Sequence, residues 1–139
     1  MAERTASPLI AGLRRYSRHL LIPEVGVGGQ ERLAAARVLC IGAGGLGSPV
    51  LQYLAAAGVG RIGVMDDDTV DESNLQRQTL FGTADIGKPK AQVAAQRVRE
   101  INPLVGADPI PVRFDARNAR ELVRLYDVVV DCTDRFETR

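Results

Sequence analysis

The sequence predicts an α/β fold, a Rossmann-like doubly wound parallel sheet with an amino-terminal helical extension. Three observations carry that reading. The apolar run Val38-Leu39-Cys40-Ile41 feeds directly into Gly42-Ala43-Gly44-Gly45-Leu46-Gly47, and an amphipathic segment follows. The next apolar run, Ile62 to Met65, ends on an acid, Asp66, about 20 residues past the glycines. Apolar runs then alternate with segments of helical period to the end of the chain, a pattern that builds crossovers and a parallel sheet.

Each element has its own signals. Residues 1–12 are mixed and without period, which predicts a flexible terminus ahead of one domain over 13–139. Leu13 to Leu21 and Gln30 to Ala36 are expected as two helices joined by the turn-rich stretch 23–29. Val38 to Ile41 is continuously apolar, as a strand covered on both faces must be. Leu46, Val50, Leu51 and Leu54 share one helix face, Pro49 is tolerated in the first turn, and Gly58 and Gly60 mark the exit. Ile62 to Met65 forms the second strand. Ala91, Ala94, Ala95 and Val98 place the next helix over Lys88 to Ile101. Gly106 to Val112, interrupted by Pro109 and Pro111, suits an edge strand. Asn118 with Glu121 resembles a capping pair for a helix to about Leu125. Asp127 to Asp131 is the fourth strand. The stretch Asp66 to Gly87 is too long for a plain connection and is expected to be a functional insertion with a short helix around Ser73 to Leu80.

Composition bounds the function. A chain of 139 residues, 45% hydrophobic and 25% charged, is sized and composed like one soluble globular domain. A net charge of +1 offers no basic excess for nucleic acid or an anionic membrane. No apolar segment is long enough to span a bilayer, and the amino terminus lacks a signal-peptide core, so a cytoplasmic location is expected. The two cysteines, Cys40 and Cys132, match no metal or redox spacing and read as packing. His19 reads as a surface residue.

The glycine turn aims bare backbone N–H groups at phosphate, with Gly42, Gly44 and Gly47 in the G-x-G-x-x-G positions and Gly45 where a side chain would intrude on a ligand. The alternative is a turn needed only for close helix–strand packing. Asp66 stands where a carboxylate accepts hydrogen bonds from a ribose. Asp67 and Asp68 are expected at the surface or capping the next turn. Arg77 and Lys90 suit phosphate oxygens and the charge that develops as pyrophosphate leaves, although both could be solvated helix residues. Asp134, just past the fourth strand, is either a magnesium ligand or a helix cap.

Taken in order, Arg15-Tyr16-Ser17-Arg18-His19, the Gly42–Gly47 turn, Ser73-Asn74-Leu75-Gln76-Arg77-Gln78, Gly87-Lys88-Pro89-Lys90, Ile101-Asn102-Pro103 and Asp131-Cys132-Thr133-Asp134 resemble one family. It is that of the bacterial adenylyltransferases that are related to ubiquitin-activating enzymes and serve molybdopterin (molybdenum cofactor), thiamine or thiolated-nucleoside synthesis. The resemblance implies ATP- and magnesium-dependent adenylylation of the carboxyl-terminal glycine of a ubiquitin-like sulfur-carrier protein. It implies that Gly45 lines the phosphates, Asp66 holds the ribose, Asn74, Arg77 and Lys90 contact phosphates, and Asp134 binds magnesium, with Ser73 and Gln76 in the same nucleotide site. Arg18 resembles an arginine that reaches across a homodimer into the partner's ATP site. Arg135 stands where the family usually has Asn, and an arginine there can still meet phosphate. The family continues further, so the domain is expected to be truncated at its carboxyl end, with a structural zinc site only in the missing part. Two other classes fit parts of the pattern: an NAD-dependent oxidoreductase domain, and a non-catalytic nucleotide-binding fragment.

Overall fold

The computed structural model describes residues 12–138; the terminus expected to be flexible lies, apart from Gly12, outside them. Two helices, α1 (Ser17–Leu20) and α2 (Gly26–Ala35), lead into β1 (Arg37–Ile41). From there α3 (Gly47–Ala57), β2 (Arg61–Met65), α4 (Lys90–Ile101), β3 (Gly106–Ile110), α5 (Ala119–Val123) and β4 (Val128–Asp131) alternate. All the strand pairs are parallel, in the order β3-β2-β1-β4. The chain therefore runs outward from β1 through β2 to β3, then returns past β1 to lay down β4. That reversal opens a crevice at the carboxyl ends of β1 and β4, where open α/β sheets bind ligands.

The burial pattern explains the apolar runs. Val38, Cys40, Ile62 and Val64 face α3 and α4, where Leu51, Ala55, Ala94, Ala95 and Val98 close the main core. The alternate residues Leu39, Ile41 and Met65 meet Ile110, Phe114, Leu122 and Tyr126 on the opposite face. Residues two apart on a strand share a face, so β1 must be apolar at both parities to be covered twice. β4 is different. It pairs only with β1, and Val128 and Val129 remain 52% and 38% exposed at the sheet's edge.

Several expectations need correcting. The first helix occupies only Ser17–Leu20, the residues from Leu13 to Tyr16 being turns. The second begins at Gly26, inside the stretch expected as a turn, because its fifth residue is tied down from afar: the buried Gln30 donates to the Ala57 carbonyl at 2.9 Å. The sole histidine, His19, is not an isolated surface residue. Its Nδ1 lies 3.0 Å from Gln30 Oε1, and its ring stacks on Tyr16 at 6.2 Å. Asn118 does not cap α5; it accepts from the Asp115 amide and donates to the Arg113 carbonyl, closing the preceding turn. Lys90 opens α4, with Pro89 outside it.

The insertion Asp66–Gly87 holds two short 3₁₀ turns, Glu72–Asn74 and Thr83–Asp85, in place of the expected helix. Asp71 and Asn74 cap the first reciprocally, at 2.8 Å to the Ser73 amide and 3.0 Å to the Asp71 amide. Val70, Leu80 and Phe81 sink into the main core, and Arg97 of α4 donates to the Leu80 carbonyl and pairs with Asp85. The insertion is thus a packed part of the domain. Among the described residues no helix is long and apolar enough to cross a membrane.

Candidate nucleotide cleft

A cleft of about 460 Å³ opens at the crevice between β1 and β4. Its floor is the glycine turn. Gly42 sits at φ +97°, and the turn closes so tightly that a side chain on Gly47 would overlap the Gly42 carbonyl. Both positions therefore demand glycine for the protein's own sake. Gly45 differs: the nearest atom to a Cβ there would be Arg77 Cδ, an ordinary contact at 3.6 Å. Nothing in the fold itself forbids a side chain at Gly45, so what one would obstruct is the cleft.

Asp66 stands at the end of β2 and organises the turn opposite. Its Oδ2 accepts from the Ala43 amide at 2.9 Å and its Oδ1 from the Asp68 amide at 2.8 Å. Burial pushes its carboxyl above the ordinary carboxylate range, and those two amides pull the other way. Each oxygen keeps a second lone pair for a hydroxyl donor from a ligand.

Arg77 and Lys90 reach the same cleft from different elements. Arg77 lies three residues past the first 3₁₀ turn, and its Nη1 is steered by the Ser73 carbonyl and Gln76 Oε1, both at 3.2 Å. Lys90 is only 5% exposed, with its amine 3.9 Å from Asp68. A lysine that buried is held for a purpose other than solubility. Asp134 lines the other side and is exposed, while Arg135 bridges the mouth to Asp68 at 3.3 Å and Asp67 at 3.8 Å. Asp66, Asp67 and Asp68 hold carboxylate oxygens within 4.8 Å of one another, but Lys90 and Arg135 already answer their charge.

Of the residues singled out in the sequence, Gly42, Gly44, Gly45, Asp66, Arg77, Lys90, Asp134 and Arg135 line the cleft together. Gly47 shapes the turn from behind. Ser73, Asn74 and Gln76 lie outside the lining, where they cap the 3₁₀ turn and steer Arg77. Arg18 is exposed on α1, away from the cleft. Arg113, Phe114 and Thr138 also line the cleft without having been singled out, Cys132 lines it although it read as packing, and Gln78, quoted in the sequence only as part of a motif, lines it too. Gln78 is 4% exposed, its Oε1 buried without a hydrogen-bond partner, and its Nε2 would lie 3.4 Å from a Cβ at Gly44. A buried amide in that state is an expensive group to leave unpaired. Its signal was its place one residue after Arg77.

Fold and cleft together define a Rossmann-like α/β domain with a polar site at its switch point. Residues 16–139 match the model of the ThiF family, and the chain belongs to that family. It is 56% identical over 127 residues to a sulfur carrier protein adenylyltransferase of Thermus thermophilus, covering 91% of this chain and 47% of that protein. It is 58% identical over 125 residues to the probable adenylyltransferase/sulfurtransferase MoeZ of Mycobacterium tuberculosis, covering 90% of this chain and 32% of that protein. The chain thus spans less than half the length of these curated relatives. Among solved structures, the Escherichia coli tRNA N6-threonylcarbamoyladenosine dehydratase TcdA in complex with ATP superposes with a TM-score of 0.86 at 27% identity. That match covers 94% of this chain and 53% of the other. The E. coli MccB structure with AMPCPP and MccA gives a TM-score of 0.76 at 31% identity, covering 87% and 37%.

Proposed function

We propose that this chain is the ATP-binding part of an enzyme that adenylates the carboxyl-terminal glycine of a ubiquitin-like sulfur-carrier protein, releasing pyrophosphate. The observation that carries this reading is the meeting of the glycine turn, Asp66, Arg77 and Lys90 in one cleft. A dinucleotide site needs the first two. The two cations add what phosphoryl chemistry requires, fixed positive charge where negative charge develops on the leaving pyrophosphate. The names of the relatives and the ATP and AMPCPP complexes of the neighbours support the same assignment.

In this reading the turn amides and Arg77 hold the phosphates, Lys90 neutralises them, and Asp66 takes the ribose hydroxyls. A carrier carboxylate then attacks the α-phosphate. Alignment and neutralised charge accelerate that step, and the carboxylate, already ionised, needs no general base. Magnesium typically binds through one or two carboxylates plus phosphate oxygens, and the exposed carboxylate of Asp134 on the cleft wall suits that donor set. Magnesium there would screen phosphate charge. Arg135 would leave Asp67 and Asp68 for phosphate as the nucleotide enters. Arg18 would serve the site of a second copy in a homodimer, and a cytoplasmic location fits the chemistry.

Exchange of labelled pyrophosphate into ATP tests the proposal. It should require both a ubiquitin-like sulfur carrier ending in glycine and Mg²⁺-ATP, and fall to background in Arg77→Ala. Exchange that proceeds equally with a carrier lacking its terminal glycine would contradict it.

A further inference from the structure

The reading above gives no part to Cys40 or Cys132, the two cysteines of the chain. Cys40 is the penultimate residue of β1 and is fully buried. Cys132 follows the last residue of β4, and its amide donates to the Ile41 carbonyl at 2.8 Å. The register pairs Cys40 with Val130, so Cys132 sits two residues further along on the same face of the sheet. The two sulfurs come within 3.9 Å, although 91 residues separate them in sequence. Cys132 lines the cleft, 8% exposed, and Cys40 lies behind it with its sulfur 3.5 Å from the Gly42 carbonyl.

Two thiols filling space beneath the turn would account for the burial. It would not account for one of them facing a polar cleft with the other as its neighbour. We propose that Cys40 and Cys132 form an oxidisable pair, which hydroperoxide entering through the cleft converts to a disulfide tying β1 to the loop that carries Asp134.

The chemistry closes on the two thiols and one peroxide. The Cys132 sulfur attacks a peroxide oxygen, the O–O bond breaks, and the departing hydroxide takes the thiol proton as water. The Cys40 sulfur then attacks the sulfenic sulfur of Cys132, the S–O bond breaks, and hydroxide leaves with the Cys40 proton as a second water. Two thiols lose two electrons in total, and the peroxide gains them.

The geometry also says what moves. A disulfide needs its sulfurs about 2.05 Å apart, so the present separation must close by roughly 2 Å. Cys40 is locked between two parallel neighbours, whereas Cys132 lies past the end of β4. The shift therefore falls on Cys132 and on Thr133 and Asp134 behind it. It also reaches Gly42, where a Cβ would already lie 2.8 Å from the Cys132 carbonyl oxygen. Displacing Gly42 and the loop that carries Asp134 should weaken nucleotide binding, an expectation that rests on the proposed function, whereas formation of the cross-link does not.

The test treats the protein with hydrogen peroxide, then denatures it, alkylates free thiols with N-ethylmaleimide and maps the peptides by mass. The expected result is a Cys40–Cys132 cross-linked peptide within one chain, reversed by dithiothreitol. In Cys40→Ala, Cys132 should stop at the sulfenic acid and be trapped by dimedone; in Cys132→Ala, Cys40 should stay reduced. Saturating Mg²⁺-ATP should slow cross-linking several-fold by covering Cys132. Maleimide on both cysteines after peroxide, or a cross-link only between chains, would overturn the pair. A disulfide that forms in the wild type as fast in Cys132-shielding ATP as without it would overturn entry through the cleft, while nucleotide binding itself is read separately by calorimetry.

Discussion

The two walls of the cleft are built to different standards. On the β1–β2 side, the Gly42 amide donates to the Met65 carbonyl at 2.7 Å, Ala43 to Asp66, and Lys90 to the Asp68 carbonyl at 2.9 Å. The strands beneath are apolar and buried on both faces. On the β4 side, the Cys132 amide donates to the Ile41 carbonyl at 2.8 Å, and Asp131 accepts from the Thr133 amide and hydroxyl at 2.9 and 2.7 Å. The strand beneath is half-exposed. Arg135 joins the walls through an exposed ion pair. Under the proposed function the two walls would divide the labour: the first would fix where phosphate and ribose lie before a ligand arrives, and the second would adjust to it.

The contrast can be broken most severely at the turn. Gly47→Val should cost about 3 kcal/mol or more, because the side chain overlaps the Gly42 carbonyl, and urea unfolding would read it. The strands come next. Leu39→Ala in β1 should cost about 2–5 kcal/mol and Val129→Ala in β4 less than about 1, in the same assay. Equal losses would dissolve the comparison.

Binding separates the walls in another way. Arg77→Ala should weaken Mg²⁺-ATP binding by about 10- to 100-fold, the worth of a charged hydrogen bond. Its stability should move by no more than about 0.5 kcal/mol, since the side chain is exposed. Asp66 adds a pH dependence. Its folded carboxyl titrates above the ordinary 3.8, so the folded state holds that proton to higher pH than the unfolded chain does. Relative to Asp66→Asn, wild-type stability should therefore fall as pH rises from 3.8 through the raised value, seen in unfolding at a series of pH values. Wild-type nucleotide binding should rise over the same window, as the carboxylate forms. The smallest effect belongs to the tie between the walls: Arg135→Asn should change Mg²⁺-ATP affinity by less than about fivefold, as an exposed ion pair does.

What could be read in the sequence was what local chemistry dictates. The β1 run, the glycine turn, Asp66 and the edge strand interrupted by Pro109 all carry their reasons within a few residues. The errors arose where a distant partner decides the outcome. Gln30 extends α2 back to Gly26 because it reaches Ala57, and Asn118 abandons α5 for the turn at Asp115. Ser73 to Leu80 looks helical, yet Asp71 and Asn74 cap a 3₁₀ turn, and burial of Leu80 and Phe81 bends the rest toward the core. The proximity of Cys40 and Cys132 depends on β4 lying beside β1, which strand spacing alone does not reveal. Gln78 stands beside Arg77 in the sequence, but only its burial sets it apart from its neighbours.

The most direct test of the account is calorimetric titration of the chain with Mg²⁺-ATP and, separately, with NAD. Saturable binding of Mg²⁺-ATP is expected, weakened in Arg77→Ala and Asp134→Ala, with no binding of NAD. Binding of NAD unaffected by Arg77→Ala, with none of ATP, would contradict it and assign the glycine turn and Asp66 to a dinucleotide.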